Sequence, residues 1–303
     1  MKVTKFLKAA AIISAAAMMV SCAAISSGEE SGSTSGRTTY SVSSASALQS
    51  AISSASAGDT ITLTSDITLS STLQVLTSGT SSSYITLNGN GKTINCSGIS
   101  SGWGVKVNGS YWVIKNLTVS NAPDCGLVFQ IGGYNKVQYC KFLNNGDSGL
   151  QVYNAAHDVT VTRCESYYNY DSANGGENAD GFAAKLSGGK NIKFNYCIAK
   201  YNSDDGWDLY SQPYTVTLNN CEAAYNGYIS TSLTTTTNGD GNGFKLGSSY
   251  ANVSHRLISD VAHHNLACGF DGNGNTATMS ISGCSSYSNK KYQWYRVTGV
   301  TNQ

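Results

Sequence analysis

The chain has 303 residues, with 19 Lys and Arg against 18 Asp and Glu and only 12% charged side chains. No basic face invites nucleic acid. Glycine is frequent at 32 residues and proline rare at 2; a Gly-, Ser-, Thr- and Asn-rich chain can be disordered, but 19 tyrosines and an internal repeat argue for a folded one.

In chain order, Lys2, Lys5 and Lys8 followed by the apolar run Ala9 to Val20 read as a secretory signal over residues 1–21, too short for a spanning helix. Met19-Val20-Ser21-Cys22 resembles a bacterial lipobox, which implies cleavage and lipidation at Cys22. Loss of three of the 19 basic residues leaves 16 against 18 acidic, a net charge of −2. Residues 22–39, Ser- and Gly-rich, read as a flexible tether. The expected product is an exported protein, lipid-anchored at the bacterial cell surface or outer membrane and otherwise secreted. It meets a membrane through the anchor alone, as a monomer. Residues 40–303 then form one domain.

That domain opens with Ala45 to Ala57, where Leu48, Ala51, Ile52 and Ala55 have helical spacing. A short helix here would cap the open end of a stack of strands. Strand-like runs follow at Thr60–Leu63, Ile85–Leu87, Val105–Val107 and Trp112–Ile114.

From residue 140 a repeat takes over. Asn145, Asn169, Asn202, Asn226, Asn265 and Asn289 each lie five residues after Cys140, Cys164, Cys197, Cys221, Asp260 and Cys284, with steps of 24, 33, 24, 39 and 24. A glycine followed by a large apolar residue keeps the same beat: Gly126-Leu127, Gly149-Leu150, Gly181-Phe182, Gly206-Trp207, Gly243-Phe244 and Gly269-Phe270. Length varies mainly between Asn and Gly. Short strand-like segments repeated every two dozen residues, with Asn, Asp and Gly at corners, predict an all-β, single-domain right-handed parallel β-helix with a short N-terminal capping helix. The repeated Asn would form a hydrogen-bonded ladder, and the repeated Cys an inward stack of thiols rather than disulfides or a zinc site. Tyr292, Trp294 and Tyr295 are expected to cover the last coil.

The repeat also says which side chains share a face. The residue two past each marker glycine reads Val128, Gln151, Ala183, Asp208, Lys245 and Asp271, and the residue before it Cys125, Ser148, Asp180, Asp205, Asn242 and Cys268. Asp180, Asp204, Asp205 and Asp208 therefore converge on one corner and its strand, with Lys245 one coil away. Single Asp-Gly corners are ordinary Asx turns. Four carboxylates within a coil spacing need a compensating cation, and hard oxygen ligands in a loop favour calcium. Lys185, Lys190, Lys193 and Lys200 read as solvated surface residues, and the four histidines show no triad or metal pattern.

The segments Glu177-Asn-Ala-Asp-Gly-Phe-Ala183, Asn202-Ser-Asp-Asp-Gly-Trp-Asp-Leu209 and Gly241-Asn-Gly-Phe-Lys-Leu-Gly247 resemble the signature of family-9 polysaccharide lyases, calcium-dependent pectate lyases on a parallel β-helix. The resemblance covers most of residues 40–290, with fewer C-terminal coils than the family usually has. It implies that Asp180, Asp204, Asp205 and Asp208 are calcium ligands and Lys245 a Brønsted base, acting on polygalacturonate by β-elimination. A rhamnogalacturonan lyase of the same family and a non-catalytic carbohydrate-binding β-helix remain as alternatives. An inverting hydrolase fits less well: it would need neither calcium nor a lysine base, and the Gly-His-Gly and Arg-x-Lys segments of β-helical polygalacturonases are missing.

Overall fold

A computed structural model describes residues 36–235 and 238–300, and the unit Arg37–Gln303 holds every described element. The lipidation position Cys22, the signal and most of the tether lie outside the described residues. The first strand, Thr39–Val42, takes in the last residue assigned to the tether.

The chain winds as a right-handed parallel β-helix, and every pairing between its strands is parallel. One wall is a nine-stranded sheet that runs from Leu73–Val75 through Phe182–Ala184, Trp207–Asp208 and Phe244–Lys245 to Tyr292–Tyr295. The remaining walls belong to a seventeen-stranded sheet.

The corners are made differently from expectation. Cys140, Cys164, Cys197, Cys221 and Cys284 and each ladder Asn are preceded by a residue in the left-handed region, with φ between 52° and 65°, and that residue is often tyrosine: Tyr139, Tyr168, Tyr196, Tyr201, Tyr225. A side chain in this conformation costs on the order of 1 kcal/mol. Ring stacking returns about as much per pair. Tyr168, Tyr201, Tyr225 and His264 stack up the outside with centroids 5.3, 5.1 and 5.0 Å apart. The tyrosine that makes one corner is thus held by the tyrosine that makes the next.

Inside the corner, the asparagine ladder forms as expected. Each side-chain amide donates to the Oδ1 of the Asn one coil on, from Asn145 through Asn169, Asn202, Asn226 and Asn265 to Asn289, at 2.8 to 3.0 Å. Gln293 ends the series by accepting from Asn289 at 2.9 Å. The marker glycines are needed for room, not for φ. A Cβ on Gly206 would stand 2.5 Å from the Gly243 carbonyl oxygen and 2.8 Å from the Asn226 amide nitrogen. The eight described cysteines are buried and free.

The expected helix is Ala45–Ser54, with Ser44 accepting from the Ala47 N–H at its start and Leu48, Ala51 and Ile52 buried. Gln49 reaches the first strand of the nine-stranded sheet, donating to the Gln74 carbonyl at 2.9 Å and accepting its N–H at 3.0 Å, so the sheet edge is occupied. Beneath that sheet Phe182, Trp207, Phe244, Phe270 and Trp294 stack with spacings of 5.0, 4.9, 4.7 and 4.1 Å. Trp294 covers the column as expected. Tyr292 and Tyr295 do not; they are 53% and 38% exposed and stack on each other instead.

Candidate active site

The outer face of the nine-stranded sheet carries both predicted columns. Ala183 pairs with Asp208, Asp208 with Lys245 and Lys245 with Asp271. Alongside, the amides of Gly149, Gly181, Gly206 and Gly243 donate to the carbonyls of Asp180, Asp205, Asn242 and Cys268 on the next coil, so those residues stack too. The stacking aromatics below leave these strands no freedom to slip, because a one-residue shift would turn Trp207 outward and Asp208 inward.

Asp180, Asp204 and Asp205 each offer a carboxylate oxygen within 4.8 Å of the others, and all three are buried. Backbone amides hold all three in place: Asp205 Oδ1 accepts from Asn242 at 2.8 Å, and Asp204 accepts from Asn178 and Asp240. Asp180 Oδ1 accepts from the Asp205 amide at 3.2 Å. Asp208 stands outside this trio. Its Oδ2 is 3.2 Å from Lys185 Nζ, and Lys185 Nζ is 2.8 Å from Asp180 Oδ2. Lys245 approaches from the next coil, 3.4 Å from Asp205 Oδ2 and 3.0 Å from Asp240 Oδ2. Asp204, Asp208, Asp240, Lys185 and Lys245 line a cavity of about 360 Å³ together with Gln151 and Tyr210, while Asp180 and Asp205 are fully buried.

Charge is unbalanced here. Asp180, Asp204, Asp205, Asp208 and Asp240 meet only Lys185 and Lys245, three negative charges in excess if all ionise. Burial pushes Asp180 and Asp205 well above the usual carboxylate range and Asp204 up to about 6; the lysines oppose the rise, and neighbouring carboxylates add to it. For Lys245 burial works to lower the pKa, but Asp205, Asp208, Asp240 and Asp204 outweigh it and hold the ammonium above its ordinary value. Lys185 is raised in the same way, chiefly by Asp180 and Asp208 against its own burial.

The residues fit a divalent cation. Asp205 Oδ2 is buried without a hydrogen bond, with Lys245 Nζ at 3.4 Å as its ion-pair neighbour, and it belongs to an all-oxygen donor set.

A profile for the Pel9A-like right-handed β-helix region matches residues 27–302. The chain belongs to the Pel9A-like family. Curated relatives of this Pel9A-like chain include pectate lyase L of Paenibacillus polymyxa (strain SC2), 37% identical over 199 residues, 61% of this chain and 44% of the relative. Pectate lyase L of Dickeya chrysanthemi is 36% identical over 193 residues, 63% and 44% of the two chains. The chain spans less than half the length of these relatives. Among solved structures, pectate lyase Pel9A has a TM-score of 0.71 and 28% identity, covering 84% of this chain and 73% of that one. A rhamnogalacturonan lyase with a TM-score of 0.57 and 20% identity, covering 76% and 66%, shares the fold.

Two residues of this Pel9A-like site were not singled out by spacing. Lys185, read as a surface lysine, is 7% exposed. It is the first residue after the strand Phe182–Ala184, and its chain folds back over the outer face toward Asp180. Its signal was its place five residues after Asp180, directly beyond a Phe-Ala-Ala run. Asp240 arrives from the longest variable segment, between Asn226 and Gly243, where coil spacing fixes no position.

Proposed function

We propose that the chain is a pectate lyase, cleaving α-1,4-linked polygalacturonate by calcium-assisted β-elimination with Lys245 as the base. The observation that carries this reading is the buried Asp180, Asp204 and Asp205 trio with the unbonded Asp205 Oδ2 and Lys245 Nζ 3.4 Å away. The pectate lyase names of its relatives support it.

Asp180, Asp204, Asp205 and Asp208 would hold a calcium ion, which when bound supplies positive charge to the C6 carboxylate of a galacturonosyl unit and so acidifies the C5 hydrogen. Lys245 takes the C5 proton on Nζ. The C5–H electron pair becomes the C4–C5 double bond, and O4 leaves with the electrons of its bond and takes a proton from water. Before that step Lys245 must lose its own proton, which the four surrounding carboxylates oppose unless their charge is neutralised. Lys185 stays cationic throughout, since its two carboxylate partners hold it so. It fixes Asp180 and Asp208 against each other.

The same proposal includes export through the signal at residues 1–21, a lipid anchor at Cys22 and action as a monomer on pectic polysaccharide outside the cell; the charge and apolar pattern of residues 1–22 supports it.

Ultraviolet absorbance during incubation with polygalacturonate at alkaline pH, with calcium and then with chelator, tests the reaction. A calcium-dependent rise from the conjugated double bond is expected. New reducing ends that survive chelation without any rise would replace elimination by hydrolysis.

A further inference from the structure

The two columns that carry the acidic trio and Lys245 do not stop there. Cys268 pairs with Tyr292, and Asp271 with Tyr295, so each column continues two coils past Asn242 or Lys245 into a tyrosine. At the ~4.8 Å spacing of stacked strands this places the tyrosines about 10 Å further along the groove. A second hollow of about 280 Å³ lies here, and it shares Asp240 with the cavity at Lys245.

Its lining differs from the first. The rings of Tyr292 and Tyr295 stack at 4.7 Å, and the Arg296 guanidinium covers the Tyr295 ring at 4.6 Å. Arg296 is itself clamped on Asp271, with Nε 3.1 Å from Oδ1 and Nη2 2.7 Å from Oδ2. Asp271 and Arg296 thus neutralise each other and pin the back of the tyrosine pair. Tyr292 keeps an open face, 53% exposed, in a column whose earlier members are buried. Beside it the Lys291 ammonium has no ion pair among the described residues, while Asp240, the other carboxylate of the hollow, already holds Lys245. An open aromatic face next to an unpaired cation suits a pyranose ring that carries a carboxylate: ring C–H bonds lie on the aromatic face and the acid takes the ammonium.

We propose that Lys291 and Tyr292 form a binding subsite for a uronate residue of the polysaccharide, two coils beyond Lys245, with Tyr295 and Arg296 as its fixed support. The inference rests on the reading of this groove as a site for an acidic polysaccharide.

Calorimetry on the full chain carrying Lys245→Ala, in calcium, with hexagalacturonate as ligand, tests it. Lys291→Gln and Tyr292→Ala are each expected to weaken binding on the order of five-fold, and Lys291→Arg to retain it. Both side chains project from the surface, so neither change disturbs the aromatic column under Trp294. Unchanged affinity in both variants, or no uronate binding by the parent, overturns the subsite. The absorbance assay on the wild-type chain separates this from the lyase reading. No ultraviolet product with binding still dependent on Tyr292 removes the lyase reading alone; product formation with binding indifferent to Lys291 and Tyr292 removes the subsite alone.

Discussion

Lys185 Nζ bridges Asp180 Oδ2 at 2.8 Å and Asp208 Oδ2 at 3.2 Å, tying together carboxylates from consecutive coils of the site. It is a buried cation inside a buried anionic cluster. Removing it leaves Asp180 and Asp208 facing Asp204 and Asp205 with less compensation. Lys185→Met is expected to cost about 3–5 kcal/mol in chelator, the usual loss when one partner of a buried pair is deleted. Denaturant unfolding with and without calcium checks this, and calcium should recover part of the loss.

Lys245 should separate from the metal-binding role of its neighbours. Lys245→Ala is expected to lower kcat by a factor of about 10³ or more, within the range of general-base removal, without weakening calcium binding, since it deletes a cation that competes for Asp205. Steady-state kinetics and calcium titration by calorimetry give the two readouts. Retained activity would exclude Lys245 as base.

The pH dependence has two opposed parts. Asp204 is raised from 3.8 to about 6 in the folded chain, so between these values the native state binds more protons than the unfolded one. Its contribution to stability therefore falls as pH rises through that window. Asp260, buried in the cysteine column and raised to about 7, acts with the same sign. His255 is held neutral by burial, lowered to about 4, and acts oppositely, its contribution being lost as pH falls from 6.5 toward 4. Calcium replaces protons only at the acidic cluster. The gain in Tm on adding calcium is expected to be small near pH 4 and to grow toward pH 7, as thermal melts across that range would report.

For catalysis the sign follows from Lys245. The surrounding carboxylates raise its pKa, so kcat/KM should climb with pH on the alkaline side, and the midpoint should shift downward as calcium is raised. A pH profile independent of calcium concentration would remove the electrostatic link between the acidic trio and the base.

The fold depends on the ladder in a way that one substitution tests. Asn202 accepts from the Asn169 amide at 2.8 Å and donates to Asn226 Oδ1 at 3.0 Å, fully buried. Asn202→Ala would remove four buried hydrogen bonds, those from the Asn169 amide and backbone N–H and those to Asn226 Oδ1 and the Ser166 carbonyl, a loss of about 2–4 kcal/mol by urea denaturation. Trp207→Phe should cost much less, because the Trp207 Nε1 hydrogen is buried without a partner and the ring stack survives.

The amino-acid sequence by itself determined the parallel β-helix, its capping helix, and the columns Asp180–Asp205 and Asp208–Lys245. In a stack of coils, equivalent positions on successive turns are neighbours, so a spacing rule becomes a contact rule, and marker residues with a packing reason, the ladder Asn and the crowded Gly, keep the count. Only the tertiary structure decided where the residues outside that count went. Asp240 lies in the segment between Asn226 and Gly243 whose length changes most from coil to coil, and Lys185, although it follows its strand directly, has a long side chain whose direction of folding no sequence separation fixes. The split among Tyr292, Gln293, Trp294 and Tyr295 does not follow strand alternation and was set by what each met: Trp294 the aromatic column, Gln293 the end of the ladder, and the two tyrosines each other beside Arg296.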